Sequence, residues 1–265
     1  RMIITNFISS IAGLFSQLNL PAWILIPLIR VFIKKYRIIK EDIELPLDNF
    51  RNFDSFFTRS LKPESRPVDT NKESIVSPVD AQVKNLAEMQ EKTLIQAKGI
   101  KYRLDELIPF TFANEFTEGK YCNFYLSPAD CHRIFAPCDG QIIGIAHVPG
   151  KLLPVCEPYV NQKKNLYIQN ERLIIYLKTK YGLIAMVNVG ALNVGSISVD
   201  FKIDKPMKFK RDKLQEIIFP KPITVKKAQH ISTFHLGSTV ILLLPNTIEF
   251  AQEIAHKKIL YGQKI

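Results

Sequence analysis

The stretch "FHLGSTVILLLP", residues 234–245, decides how the rest of the chain is read. Gly237 is free to take positive φ, Ser238 and Thr239 favour turn positions, and Val240–Leu244 has the length of a buried strand. A Gly-Ser-Thr corner opening such a run has two readings. It is an ordinary turn into a strand, or Gly237-Ser238 is a bond that the protein is built to cut. The tetrapeptide alone does not choose between them.

Working outward, the chain changes character near Ile75. From there it reads as short strands separated by Pro, Gly, Asp and Asn. "RLIIYLKTKYGLIAMVNVG" (172–190) reads as a hairpin turning near Lys178–Gly182, and "VGALNVGSISVDFKI" (189–203) continues the alternation. The basic segment 205–229 reads as a mobile or partner-facing excursion before the last strand. There is also an internal echo. "SPVDAQV" (77–83) and "APCDGQI" (136–142) each place a Pro-x-Asp corner before a strand, which makes Asp80 and Asp139 turn aspartates by default and suggests two related β-units. Before Ile75 the pattern is helical. Periodicity runs from Ile3 to about Lys40, broken at the prolines, and a second helix is expected over Asp48–Leu61, capped by Asp48, with Phe50, Phe53, Phe56 and Phe57 on one face. Residues 62–74 have the composition of an irregular connector. The fold class expected is α+β, with an apolar and basic helical segment at 1–47 and a β-rich domain at 48–265.

The 265 residues carry a net charge of +11, which points to an anionic partner. Nucleic acid is disfavoured because no basic-aromatic motif, zinc finger or helix-turn-helix is present. The N-terminal segment favours an acidic membrane surface instead. Its longest apolar run, Leu20–Ile29, is too short to span a bilayer, no signal-peptide cleavage site follows that run, and Arg30, Lys34, Lys35, Arg37 and Lys40 come next. Four cysteines, at 122, 131, 138 and 156, lack any CxxC pair and read as free thiols, and no metal site is expected.

Polar chemistry gathers in "YLSPADCHRIFAPCDG" (125–140). His132 lies in a polar loop rather than on an apolar face, so its imidazole can be presented to a site. Ser238, His132 and Asp80 supply a nucleophile, a proton carrier and a carboxylate, although spacing alone does not bring them together. No GxSxG elbow accompanies Ser238, which disfavours an ordinary serine hydrolase.

Taken together, "FDSFFTRSLKPESRPVD", "SPVDAQV", "LIQAKGIKYRLDELI", "YLSPADCHRIFAPCDG", "VPGKLLPV", "NERLIIYL", "VGALNVGSI" and "FHLGSTVILL" follow one another in an order that resembles the phosphatidylserine decarboxylase family, over about Phe50–Leu244. The resemblance implies a proenzyme that cuts its own Gly237-Ser238 bond. Ser238 attacks the Gly237 carbonyl, and elimination from the resulting ester leaves a pyruvoyl group where Ser238 stood. The pyruvoyl forms a Schiff base with phosphatidylserine and takes up electrons as CO₂ leaves, giving phosphatidylethanolamine. By the same resemblance His132 protonates the carbon after CO₂ loss. The partners implied are phosphatidylserine, an anionic membrane at the cytoplasmic face of the bacterial inner membrane, the two fragments with each other, and a homodimer as candidate assembly.

One position departs from the family pattern His-Arg-x-His. Here the loop reads "HRIF", so Phe135 stands where the family's second histidine joins an aspartate matching Asp80 and the serine in driving self-cleavage. His235 is three residues from Ser238 and on a strand would face the opposite side, so it is not read as a replacement. A second reading therefore stands beside the first: an unprocessed homologue that binds anionic phospholipid without turnover.

Overall fold

A computed structural model describes residues 15–97, 99–191, 197–202, 213–235 and 238–265. Within them the strands are β1 Ala81–Glu88, β2 Thr93–Ala97, β3 Ile100–Arg103, β4 Lys120–Leu126, β5 Arg133–Phe135, β6 Gly140–Val148, β7 Arg172–Thr179, β8 Gly182–Gly190, β9 Ile197–Val199, β10 Gln215–Val225, β11 His230–Phe234, β12 Ser238–Leu244 and β13 Lys258–Ile259. One antiparallel sheet has the order β10-β6-β7-β8-β12-β4-β1-β13, a second β5-β11-β9, and a third β2-β3. The fold is α+β and dominated by strand.

β12 lies inside the large sheet, between β8 and β4, and all seven of its residues are buried. Val240, Leu242 and Leu244 join one core with Phe124, Leu126, Ile134, Ile231 and Phe234. Ile241 and Leu243 join the other, with Tyr121 and Val187. A strand covered on both faces has no polar side to alternate with, hence the unbroken apolar run. Each such side chain contributes roughly 1.5–3 kcal/mol on burial. The small sheet covers the first face through Ile134, Ile231 and Phe234.

The hairpin forms as the pattern suggests, with Thr179 opposite Gly182 across a tight turn where Gly182 takes a φ of 116°. The echo is structural as well. Bends at 78–80 and 137–139 lead into β1 and β6. They are tied reciprocally, the Phe135 N–H donating to the Pro78 carbonyl (2.8 Å) and the Val76 N–H to that of Pro137 (2.9 Å). Asp139 keeps its turn role, accepting the Lys227 N–H at 2.8 Å.

Three expectations are corrected. Helix α1, Ala22–Tyr36, begins after Pro21 but runs through Pro27. That proline costs one intrahelical bond, whereas Leu25 and Ile29 are buried against Ile43, Leu47, Phe50 and Phe56. Helix α2 is only Phe53–Phe57, and its cap is Asn52 rather than Asp48: Asn52 Oδ1 accepts the Ser55 N–H (2.9 Å) while Ser55 Oγ faces the Asn52 N–H. In the basic segment, β10 is an eleven-residue edge strand. Pro220 and Pro222 give its sequence the look of a loop, but they fall where pairing with β6 is interrupted, between Ile218 and Ile223, so no ladder N–H is missed. The expected start of the first helix (3–14), residues 192–196 and residues 203–212 lie outside the described residues.

Candidate functional site

Ser238 opens β12, pairing with Leu126 at the end of β4 and with Gly190 at the end of β8. The register places its side chain on the face of Val240, under the small sheet. It is fully buried, and its Oγ has no hydrogen-bond partner among the described residues. A buried hydroxyl left unpaired costs about 1–3 kcal/mol, so such a group calls for an explanation. Gly237 itself lies outside the described residues.

The 127–132 loop leaves β4 directly after Leu126. Asp130 closes it, its Oδ2 accepting the Ser127 N–H (2.7 Å) and hydroxyl (2.8 Å), while its other oxygen is paired with Lys258. Arg59 pins the loop from below, donating to the Ala129 carbonyl at 2.6 Å. At the far end the His132 carbonyl accepts the Phe234 N–H at 2.9 Å. Strand pairing at Leu126 and this bond at Phe234 thus hold the His132 loop against both ends of the link between β11 and β12.

His132 is completely buried beneath Phe57, with ring centroids 4.0 Å apart. Its Nδ1 lies 2.9 Å from the Asp130 carbonyl, which fixes Nδ1–H as donor. Nε2 therefore carries the lone pair, and it has no partner among the described residues. Burial, with the nearby charges of Arg59 and Lys258, pushes the imidazole down to about 3. At neutral pH it is an uncharged acceptor.

Asp80 precedes β1, two strands from β12 at the same end of the sheet, roughly 10 Å away at the usual strand spacing. It lies in the 78–80 bend, as a turn aspartate does. Its carboxylate is buried and held by Arg66, through Nε (2.9 Å) and a second nitrogen (2.7 Å), and by the Tyr261 N–H at 2.9 Å. Phe135 is buried beside it, stacked on Tyr261. Structure therefore gathers Asp80, Phe135, His132 and Ser238 around one end of the sheet. It also adds Arg59, Arg66 and Tyr261, which were not singled out in the sequence: the two arginines lie inside a quoted motif, but the partners are 14 to 181 residues away. His235 is a further correction. It follows the last residue of β11, whereas Ser238 begins a strand of another sheet, so alternation along one strand does not apply.

A cavity of about 360 Å³ lined by Lys84, Tyr125, Glu157, Tyr167 and His256 lies on the Tyr125–Thr239 face, opposite the Ser238 side chain. Among the described residues no cluster of His, Cys, Asp or Glu is arranged to hold a metal.

The family model of phosphatidylserine decarboxylase matches residues 53–265, spanning every element just described from α2 onward. The chain belongs to the phosphatidylserine decarboxylase family. It is similar to the phosphatidylserine decarboxylase proenzyme of Myxococcus xanthus, 37% identical over 242 residues, covering 89% of this chain and 84% of that protein. Those of Helicobacter pylori (33% over 270 residues, 99% and 97%) and Brevibacillus brevis (38% over 242 residues, 89% and 86%) carry the same name. The family is one of carboxy-lyases, and its members are named as proenzymes.

Proposed function

We propose that the protein decarboxylates phosphatidylserine to phosphatidylethanolamine, using a pyruvoyl group made from Ser238 when the Gly237-Ser238 bond cuts itself. The observation that carries this reading is the Ser238 hydroxyl, buried and unpartnered at the head of a strand that the core holds on both sides. A group of that kind suits a position that becomes a carbonyl. The pyruvoyl carbonyl, once formed, supplies an electron sink for the loss of CO₂. The protein's own residues do the rest. β12 keeps the C-terminal fragment seated after the cut, and His132 takes a proton from the substrate ammonium on its bare Nε2 and returns it to the substrate carbon after CO₂ leaves.

Residues 1–47 are proposed to hold the enzyme to an anionic membrane, with 48–265 as the catalytic domain. Among the described residues no helix is long and apolar enough to cross a membrane. α1 instead exposes Trp23 (76%), Val31 (65%), Leu28 (45%) and Ile24 (39%) and ends in Lys34 and Lys35. An apolar stripe with a basic end suits the interface of an acidic leaflet.

The second reading, a lipid-binding homologue without turnover, draws support from Phe135 and from an Asp80 carboxylate already occupied by Arg66. Release of CO₂ from carboxyl-labelled phosphatidylserine separates the two. The proposal expects release by the protein and none by Ser238→Ala. Binding without release favours the second reading.

A further inference from the structure

Phe135 leaves the self-cleavage position without its imidazole, and the bare Nε2 of His132 is the group assigned above to the substrate carbon. Another imidazole is set up for the task. His235 Nδ1 lies 2.9 and 3.1 Å from the two carboxylate oxygens of Asp54, and its Nε2 lies 3.0 Å from the Ser198 hydroxyl. The carboxylate takes Nδ1–H, so Nε2 bears the lone pair and accepts from Ser198. A carboxylate, an imidazole and a hydroxyl in line are the geometry of an activated nucleophile–base pair. His235 and Asp54 are only 22% and 13% exposed.

Two observations direct this group toward Ser238. Asp54 and Phe57 stand three apart on α2 and so share a face, with Cβ atoms about 5–6 Å apart; Phe57 packs on His132 and Asp54 holds His235. Both histidines therefore lie against one helical surface. In addition, His235 follows β11, in the sheet that covers the face bearing the Ser238 side chain. Three residues of chain span at most about 11 Å, which bounds the separation of the His235 and Ser238 Cα atoms.

We propose that His235, oriented by Asp54, is the general base for self-cleavage in this chain, standing in for the imidazole missing at 135. This rests on the self-cleavage reading above. As Ser238 Oγ bonds to the Gly237 carbonyl carbon, its proton passes to His235 Nε2. As the carbon–nitrogen bond breaks, the same proton passes to the nitrogen of residue 238, leaving an ester and a free amine with nothing consumed. Ser198 holds Nε2 beforehand and yields it to Ser238.

The test is a time course of precursor loss for the parent, His235→Gln, Asp54→Asn, Ser198→Ala and His230→Gln, with thermal melting to verify folding. Glutamine can keep both hydrogen bonds of the imidazole while lacking its basicity. The expected result is a 10²- to 10⁴-fold slowing in His235→Gln, about tenfold in Asp54→Asn, a smaller change in Ser198→Ala, which loses the hydroxyl that holds Nε2, and the parent rate in His230→Gln. A merely structural cluster slows by similar factors in His235→Gln, Asp54→Asn and Ser198→Ala. Cleavage of His235→Gln at the parent rate overturns the assignment while leaving self-cleavage intact. So does slowing confined to His230→Gln, or labelling of Ser198 by a fluorophosphonate, which makes the cluster a hydrolytic site of its own. A parent that never cuts overturns the self-cleavage reading itself, and this inference with it.

Discussion

The Phe135 ring lies face to face on Tyr261, centroids 3.9 Å apart and planes 14° apart, and the Tyr261 N–H donates to Asp80. An aromatic hydrocarbon thus occupies a place beside a buried carboxylate. In the family pattern that place belongs to an imidazole. Phe135→His is expected to hasten cleavage at Gly237-Ser238, least where His235 already serves as base and by about 10²-fold or more, the range of general base catalysis, in a His235→Gln background. Asp80→Asn in that background should remove most of the gain, which a folding effect alone would not do. Precursor loss in His235→Gln alone, with Phe135→His added and with both further changes decides it; an unchanged rate when Phe135→His is added to folded His235→Gln removes this position from the mechanism.

Arg66 is expected to matter more for folding than for chemistry. Its guanidinium bridges Asp80 and Asp42, and the Asp80 side chain is only 2% exposed. Arg66→Ala strands a buried carboxylate and should cost about 3–5 kcal/mol. Arg66→Lys keeps the charge but loses the paired geometry and should cost less. Urea midpoints for the three proteins give the comparison, and an Arg66→Ala protein as stable as the parent contradicts the pairing.

Arg66 shows why the site was only partly legible. Ser238, His132, Asp80 and Phe135 sit in short motifs whose residue types announce themselves. β12 was readable because five consecutive apolar residues follow a turn, and the hairpin because its alternation breaks at Lys180 and Tyr181. Arg66 lies in a segment with the composition of a surface connector, and nothing local distinguishes it from a solvated arginine. Only the packing of that connector over Asp80 makes it a partner. β10 stayed hidden for a different reason: its prolines are tolerable only where the ladder lapses, which depends on the position of β6. The shortness of α2 likewise reflects Asn52 outcompeting Asp48 for the cap.

His132 should leave a mark on acid stability. Folded, it is neutral down to about pH 3, whereas an unfolded chain takes up the proton near 6.5. Below about 6.5 the unfolded state binds the extra proton, so stability falls as pH drops toward 3, by up to about 1.4 kcal/mol per unit. His132→Gln removes that contribution. Denaturation at pH 7 and pH 5 should show the parent losing more stability than the variant; equal losses contradict the buried neutral imidazole. In assays at neutral pH, His132→Ala should retain whatever cleavage the parent shows but release no CO₂ from phosphatidylserine.

On the membrane side, Trp23 and Val31 are exposed, so replacing both with Ser should leave melting unchanged. Binding to vesicles of anionic phospholipid should weaken about tenfold or more, and added salt should weaken the remainder through the basic residues at the end of α1. Equal sedimentation of parent and variant with the vesicles would make the stripe a structural feature only.

The most direct test is the intact mass of the purified protein after prolonged incubation. Self-cleavage predicts two species, residues 1–237 and residues 238–265, the shorter bearing a ketone in place of an N-terminal amine and reacting with a carbonyl reagent. A single species at the mass of the full chain, unchanged with time, would contradict it.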